Sequence, residues 1–233
     1  MRGSKERTVI EAVAKWFSAT WEEGSNPPDA YLTVAGKRVA VDIASLRRYG
    51  TGQAGAAKPH LRFDKVATRL TERLRDTFSE AATDGTTILL TITAPIRLPS
   101  KTASALEDKI RTLLARRSPG RDEQDTIHGN RVRIRLLRNE SRRAPNLLGF
   151  VHNADSDPLL LLNMTRELLE LANAEAGGRA PGLVGERWLV VMSPRQSSCL
   201  PAYRHIYLQL RMANDFKKTL MVFDDGHVGM LTG

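Results

Sequence analysis

The chain has 233 residues, enough for one large α/β domain or two small ones with a sizeable core. Its 35 Lys and Arg against 26 Asp and Glu give a net charge of +9, which favours a polyanionic partner such as nucleic acid. The lone Cys199 excludes an intramolecular disulfide and a cysteine-based zinc cluster. No apolar run reaches the length of a membrane span and the N-terminus lacks a signal-peptide core, so we expect a cytoplasmic protein with no membrane partner.

The first half of the chain alternates helical and extended patterns. Apolar residues at helical spacing predict a helix over residues 8–23, which Gly24 to Pro28 ends. A hairpin follows, and the glycine-dotted loop 47–60 shows no hydrophobic periodicity. The predicted elements are strands Tyr31–Val34 and Arg38–Ala44 around Ala35-Gly36-Lys37, a helix Asp64–Ala82, a strand Thr86–Thr93 and a helix Thr102–Arg117.

The second half continues in the same manner. Its predicted elements are a hairpin of Asp125–His128 and Arg131–Arg138, a strand 147–152, a helix Pro158–Ala176, a strand 186–193, a helix Ala202–Met212, and strands 219–223 and 227–231. This order predicts an α/β fold with a mixed β-sheet flanked by helices. We expect one domain over residues 1–233, with a weak boundary near residues 140–146.

The first hairpin carries two carboxylates. Strand alternation puts Asp42 on the face opposite Val41 and Ile43, between the small side chains of Ala40 and Ala44. Asp29 lies at the start of the partner strand and approaches Asp42 if the strands pair across the turn. Two adjacent carboxylates repel each other unless a cation lies between them. Oxygen ligands of this kind suit Mg²⁺ or Mn²⁺.

The order of Glu11 on a helix, Pro28-Asp29, a hairpin and Asp42-Ile43-Ala44 resembles the PD-(D/E)XK nuclease superfamily, and the resemblance covers residues 8–95. It implies a restriction-endonuclease-like core and metal-dependent phosphodiester hydrolysis of DNA, in DNA processing or defence. Asp29, Asp42 and the carbonyl of Ile43 would then hold Mg²⁺, and Glu11 would order the attacking water or a second ion.

The motif departs from the family at one position, because Ala44 stands where the family has its lysine. Either Lys15 or Lys58 supplies the missing group, or the protein is an inactive relative that binds nucleic acid or an acidic protein. Ordinary structural roles also stay open. Asp29 fits a turn, Glu11 and Lys15 fit an i,i+4 helix pair, and Asp42 fits a pair with Arg47 or Arg48.

The segment RVRIRLLR places Arg131, Arg133 and Arg135 on one face of a strand and apolar residues on the other. We predict that this face contacts the phosphates of DNA. Arg47, Arg48 and Lys58 of the loop are predicted to extend the same surface. A solvated outer face balanced by acidic neighbours, and a basic charge that reflects only genome composition, remain alternatives. A homodimer is left open.

Overall fold

The computed structural model describes residues 3–25, 27–46, 61–62, 64–79, 85–116, 122–138, 146–154, 158–175, 185–210 and 216–232. The helices within these residues are α1 (Ser4–Trp16), α2 (Lys65–Thr77), α3 (Pro99–Ala115), α4 (Pro158–Glu175) and α5 (Leu200–Leu210). The strands are β1 (Thr20–Glu23), β2 (Ala30–Val34), β3 (Lys37–Ser45), β4 (Thr86–Thr93), β5 (Asp122–Ile127), β6 (Asn130–Arg138), β7 (Leu147–His152), β8 (Arg187–Ser193), β9 (Lys218–Phe223) and β10 (Val228–Thr232). No helix in the described ranges is both long and apolar enough to cross a membrane.

The chain forms two compact units, each built around one sheet. Unit 1 comprises Met1–Ala54, Met164–Leu208 and Ala213–Gly233, and unit 2 comprises Gly55–Asn163 and Gln209–Met212. The sheet of unit 1 has the order β1-β2-β3-β8-β9-β10, and that of unit 2 has the order β5-β6-β4-β7. Both sheets mix parallel and antiparallel pairs, so the predicted mixed α/β class is confirmed. A single domain stays a prediction, and residues 139–145 near its expected weak boundary lie outside the described ranges.

In unit 1, β2 and β3 form the predicted hairpin, with Ala35 and Gly36 as its two-residue turn at positive φ. Strand β3 then pairs in parallel with β8, and β8 pairs in parallel with β9. One face of this sheet is packed by α1, whose buried face faces Val39 and Val41 of β3 and Val190 of β8. Strand alternation therefore points Asp42 to the opposite face of the sheet from α1.

The first helix ends earlier than its apolar pattern predicts. The Ser18 N–H donates to the Lys15 carbonyl at 3.2 Å and the Ala19 N–H to the Ala14 carbonyl at 2.8 Å, with Ser18 at φ 52°. These two bonds form a Schellman cap, which turns the chain out of the helix. Trp21, predicted to lie on the helix, instead pairs with Leu32 in the β1–β2 ladder.

The strand predicted to complete the nuclease-like core belongs to a different sheet. Strand β4 pairs with β6 and β7 in unit 2. The strand that lies beside β3 is β8, and the long helix before β8 is α4. The helix and strand that follow the hairpin in the sheet of unit 1 are therefore α4, most of which belongs to that unit, and β8, and not the helix and strand expected within residues 8–95.

In unit 2, α2 and α3 pack on one face of the sheet, against alternate apolar residues of β4 and β6. Strands β5 and β6 form a hairpin around the His128-Gly129 turn. Asn130, which is buried directly after this turn, connects the hairpin to the segment before α3. Its Oδ1 accepts from the Arg97 N–H at 2.7 Å, and its Nδ2 donates to the carbonyls of Arg97 and Ile127 and to Thr102 Oγ1, each at 2.9 Å. The two hydrogens of Nδ2 are shared among these three acceptors, so the single Asn130 amide links the β5–β6 turn to the segment before α3.

We predict that Asn130→Ala destabilises unit 2 by about 3 kcal/mol, because it leaves several backbone groups without their partner inside the fold. Gln124→Ala, on the exposed surface of the same hairpin, is the control and is expected to change stability by less than about 0.5 kcal/mol. Urea denaturation of both variants measures the difference. Equal midpoints would show that the Asn130 hydrogen bonds do not hold the junction.

Candidate functional site

The two carboxylates of the first hairpin lie at the same end of the β2–β3 ladder. The last paired residues are Ala30 and Val41, so Asp29 and Asp42 are the next two positions in register. Oδ2 of Asp29 accepts a hydrogen bond from the Ile43 N–H at 2.6 Å. The structure thus brings together Asp29, Asp42 and Ile43, and Ile43 meets Asp29 through its amide N–H.

The cation beside Asp42 is Arg187, the first residue of β8. Its Nη2 lies 2.5 Å from Oδ2 of Asp42, and only 12% of the Arg187 side chain and 15% of the Asp42 side chain are exposed. Arg187 pairs in register with Ala40, whose small side chain leaves room for the guanidinium, and its Cζ lies 5.0 Å from the ring centre of Phe216. Aspartate is uncommon within strands, and this ion pair gives Asp42 a structural role in β3. Sequence reasoning could not find this pair, because 145 residues separate the partners.

Glu11 and Lys15 lie apart from this pair. Both are exposed on α1, which packs on the other face of the sheet, and Oε1 of Glu11 is 3.0 Å from Nε of Arg7. Among the described residues, no three His, Cys, Asp or Glu side chains form a group able to hold a metal ion. With Asp42 bound to a guanidinium and Asp29 to a backbone amide, the side chains present do not fit a resident Mg²⁺ as they stand.

The arginine face of β6 has the predicted alternation. Nε of Arg133 donates to Oδ1 of Asp122 at 2.7 Å, its Nη2 contacts Oδ2, and Nη1 of Arg135 lies 3.9 Å from Oδ2. The hydrogen bond from Arg133 lowers the pKa of Asp122 below its ordinary value, although partial burial opposes this. Arg131 is exposed and makes no hydrogen bond or ion pair to any other described residue. Arg47, Arg48 and Lys58 lie outside the described ranges.

Sequence reasoning missed a second charged cluster, which is buried in unit 1. Glu167 of α4 is fully buried, and its carboxylate accepts from the Tyr203 hydroxyl at 2.5 Å and from Nε of Arg195 at 3.2 Å. Burial and the neighbouring carboxylate raise the pKa of Tyr203. Burial alone would lower the pKa of Arg195, but its hydrogen bonds with Glu167 raise it. All three groups are bonded to one another, so this cluster stabilises the fold and offers no free group to a ligand.

Cys199 lies beside this buried cluster and is itself buried. Burial raises the pKa of its thiol, which keeps it protonated and unreactive at neutral pH.

Comparisons of the chain with family models, curated proteins and solved structures gave no match.

The Asp42–Arg187 pair generates a stability prediction. Asp42→Asn and Arg187→Met each leave one charge largely buried without its partner, so each is expected to destabilise unit 1 by about 3 kcal/mol. The double variant removes both charges and is expected to cost clearly less than the sum of the two single changes. Thermal and urea unfolding of the four proteins gives the coupling energy. Additive effects would show that the two groups do not interact.

Proposed function

We propose that the chain binds nucleic acid through the arginine face of β6 and does not cleave it. The observation that carries this proposal is the charge on that face. Asp122 pairs with Arg133 and lies 3.9 Å from Arg135, whereas the exposed guanidinium of Arg131 makes no ion pair with any described residue. Three guanidinium groups thus share this face of the β5–β6 ladder with one carboxylate, and Arg131 is left without a counter-charge among the described side chains.

Like charges on neighbouring positions of a sheet destabilise it, and a polyanion relieves that repulsion. Phosphate groups fit the role, because guanidinium groups bind phosphate oxygens in a bidentate geometry. Contacts to phosphates fix the position of the nucleic acid without reading its sequence. We therefore expect affinity that depends strongly on salt and weakly on base sequence. An acidic protein would relieve the same charges, and a competition with nucleic acid separates the two partners.

The absence of cleavage follows from the hairpin in unit 1. Asp42 would have to bind the metal in a nuclease of the family that the motif resembles, and here Arg187 occupies its carboxylate at 2.5 Å. Ala44 also provides no amine to activate a water. Both departures remove parts that phosphodiester hydrolysis needs.

Metal-dependent hydrolysis of DNA is the second candidate, and one specific arrangement favours it. Asp29 and Asp42 stand opposite each other at the end of the β2–β3 ladder, and this hairpin is preceded by α1 and followed, next to β3 in the same sheet, by β8 with α4 before it. This is the order of elements expected for the nuclease-like core. Hydrolysis would require Arg187 to leave Asp42 before Mg²⁺ or Mn²⁺ binds.

The first prediction from this proposal concerns binding. The wild-type protein should bind a labelled DNA duplex, and Arg131→Gln/Arg135→Gln should lower the slope of log K against log salt by about 1.8, one counterion-release increment for each lost phosphate contact. The control Arg69→Gln/Arg111→Gln removes the same two charges from α2 and α3, on the other side of the sheet. Fluorescence anisotropy at several salt concentrations measures both slopes. Equal slopes for the two double variants would contradict the assigned face.

The second prediction concerns chemistry. Plasmid DNA incubated with wild-type protein and Mg²⁺ or Mn²⁺ should stay supercoiled, as it does with EDTA. Asp42→Asn, checked for folding by circular dichroism, should retain the affinity of the wild type for DNA, because the hairpin is not the proposed contact surface. Nicking that requires the metal and disappears in Asp42→Asn would replace the binding proposal with the hydrolytic one.

A further inference from the structure

Unit 2 has a cleft on the sheet face opposite α2 and α3. Its volume is about 360 Å³. We call it the polar cleft, and the side chains that matter for its chemistry are Thr91, Thr93, Gln124, Thr126, Arg131 and His152. Strand pairing explains why they meet. Gln124 and Thr91 both pair with Arg133, Thr126 pairs with Arg131, and Thr93 pairs with His152, so all of them project from one side of neighbouring strands.

Most of these polar groups have no partner in the fold. The side chains of Thr91, Thr93, Gln124, Thr126 and Arg131 make no hydrogen bond to any other residue in the described part of the chain. Thr91 is only 4% exposed, so its hydroxyl lies at the bottom of the cleft rather than in open solvent. Polar side chains at such positions normally have partners. A ligand that donates and accepts hydrogen bonds satisfies them together.

The charge of the cleft selects an anion. Asp125 also borders it, but strand alternation turns its carboxylate to the α3 side, where Nζ of Lys109 lies 2.6 Å from its Oδ2. The carboxylate of Asp122 is paired with the guanidinium of Arg133. The exposed guanidinium of Arg131 therefore gives the cleft its uncompensated positive charge, and a phosphate group is the natural counterpart.

The polar cleft is larger than a site for a phosphate ion alone. A volume of about 360 Å³ falls in the range of about 300 to 1,000 Å³ that is usual for sites of whole small molecules. Beyond Arg131, the amide of Gln124 and the three threonine hydroxyls are neutral groups that both donate and accept hydrogen bonds. Such groups match the polar edges of a sugar and a nucleobase.

We propose that the polar cleft binds one nucleoside monophosphate unit, with its phosphate on Arg131 and its polar edges on Gln124 and the threonines. The unit comes either from a free mononucleotide or from the 5′-phosphorylated end of a nucleic acid strand. The second source rests on the proposed nucleic acid binding, and the first does not. A protein that only contacts phosphates along a strand would bind strands with and without a 5′-phosphate equally well. A preference for the 5′-phosphate would therefore be a separate property of the polar cleft.

Isothermal titration calorimetry with adenosine 5′-monophosphate, adenosine and inorganic phosphate tests the cleft directly. We expect the monophosphate to bind at least about tenfold more tightly than either of its parts. Arg131→Gln and Thr93→Val should each weaken it about tenfold, as expected for a lost charged or polar contact. Arg69→Gln on α2 and Thr112→Val on α3 are the matched controls and should leave the affinity unchanged. Failure of the monophosphate to bind, or equal effects of cleft and control variants, would overturn the proposal.

A second measurement distinguishes the two sources. Anisotropy compares one labelled single strand with a 5′-phosphate and with a 5′-hydroxyl. Tighter binding of the phosphorylated strand that Thr93→Val abolishes identifies the strand end, whereas equal binding of both strands beside tight monophosphate binding identifies the free nucleotide. Strand binding without monophosphate binding would support nucleic acid binding by β6 and contradict the proposal for the polar cleft. Monophosphate binding without strand binding would support the polar cleft as a site and contradict nucleic acid binding by β6.

Discussion

The parallel pairing of β3 with β8 determines the chemistry of unit 1, because it brings Arg187 against Asp42. Two carboxylates at neighbouring ladder positions need a cation nearby. Here the cation is part of the chain, held in place by its own strand and by the ring of Phe216. A metal ion would have to displace a guanidinium that is largely buried with its partner. The acidic hairpin is thus stable without a metal, and the same geometry that stabilises it works against hydrolysis.

The same rule of strand alternation has the opposite outcome in unit 2. In unit 1 the charge of Asp42 is balanced by that of Arg187. On the β5–β6 ladder Asp122 pairs with Arg133 and lies near Arg135, and no described carboxylate pairs with Arg131. The cross-strand neighbours at the end of this face, Thr126 and Gln124, are neutral and leave Arg131 uncompensated. The guanidinium of Arg131 on β6 therefore lacks a counter-charge among the described residues, and this is where we locate the anionic ligand.

Local patterns in the sequence predicted most elements and the two hairpins, but not the pairing of strands that are distant along the chain. Alternation in β3 and β6 correctly gave the faces of Asp42 and of the three arginines, because it depends only on neighbouring residues. Phe17 and Trp21 continued the helical pattern, yet the cap at Ser18 ended α1, since hydrogen bonds of the helix terminus outweighed apolar spacing. The placement of β4 and the partner of Asp42 depend on contacts across long stretches of chain. A predicted β5 that began at Asp125 also missed Asp122, the residue that fixes Arg133.

Charged groups in this protein differ in whether the fold already satisfies them, and that difference separates structural from functional roles. Glu167 and Tyr203 are fully buried and Arg195 is largely buried, and each is bonded within the cluster. Removing a partner there would leave a buried charge unpaired and strongly destabilise unit 1. Arg131 and the threonines of the polar cleft contribute little to folding, because they bond to no described residue. A fold gains nothing by gathering unbonded polar groups around one positive charge in a cleft, so a ligand is the simplest physical reason for their arrangement.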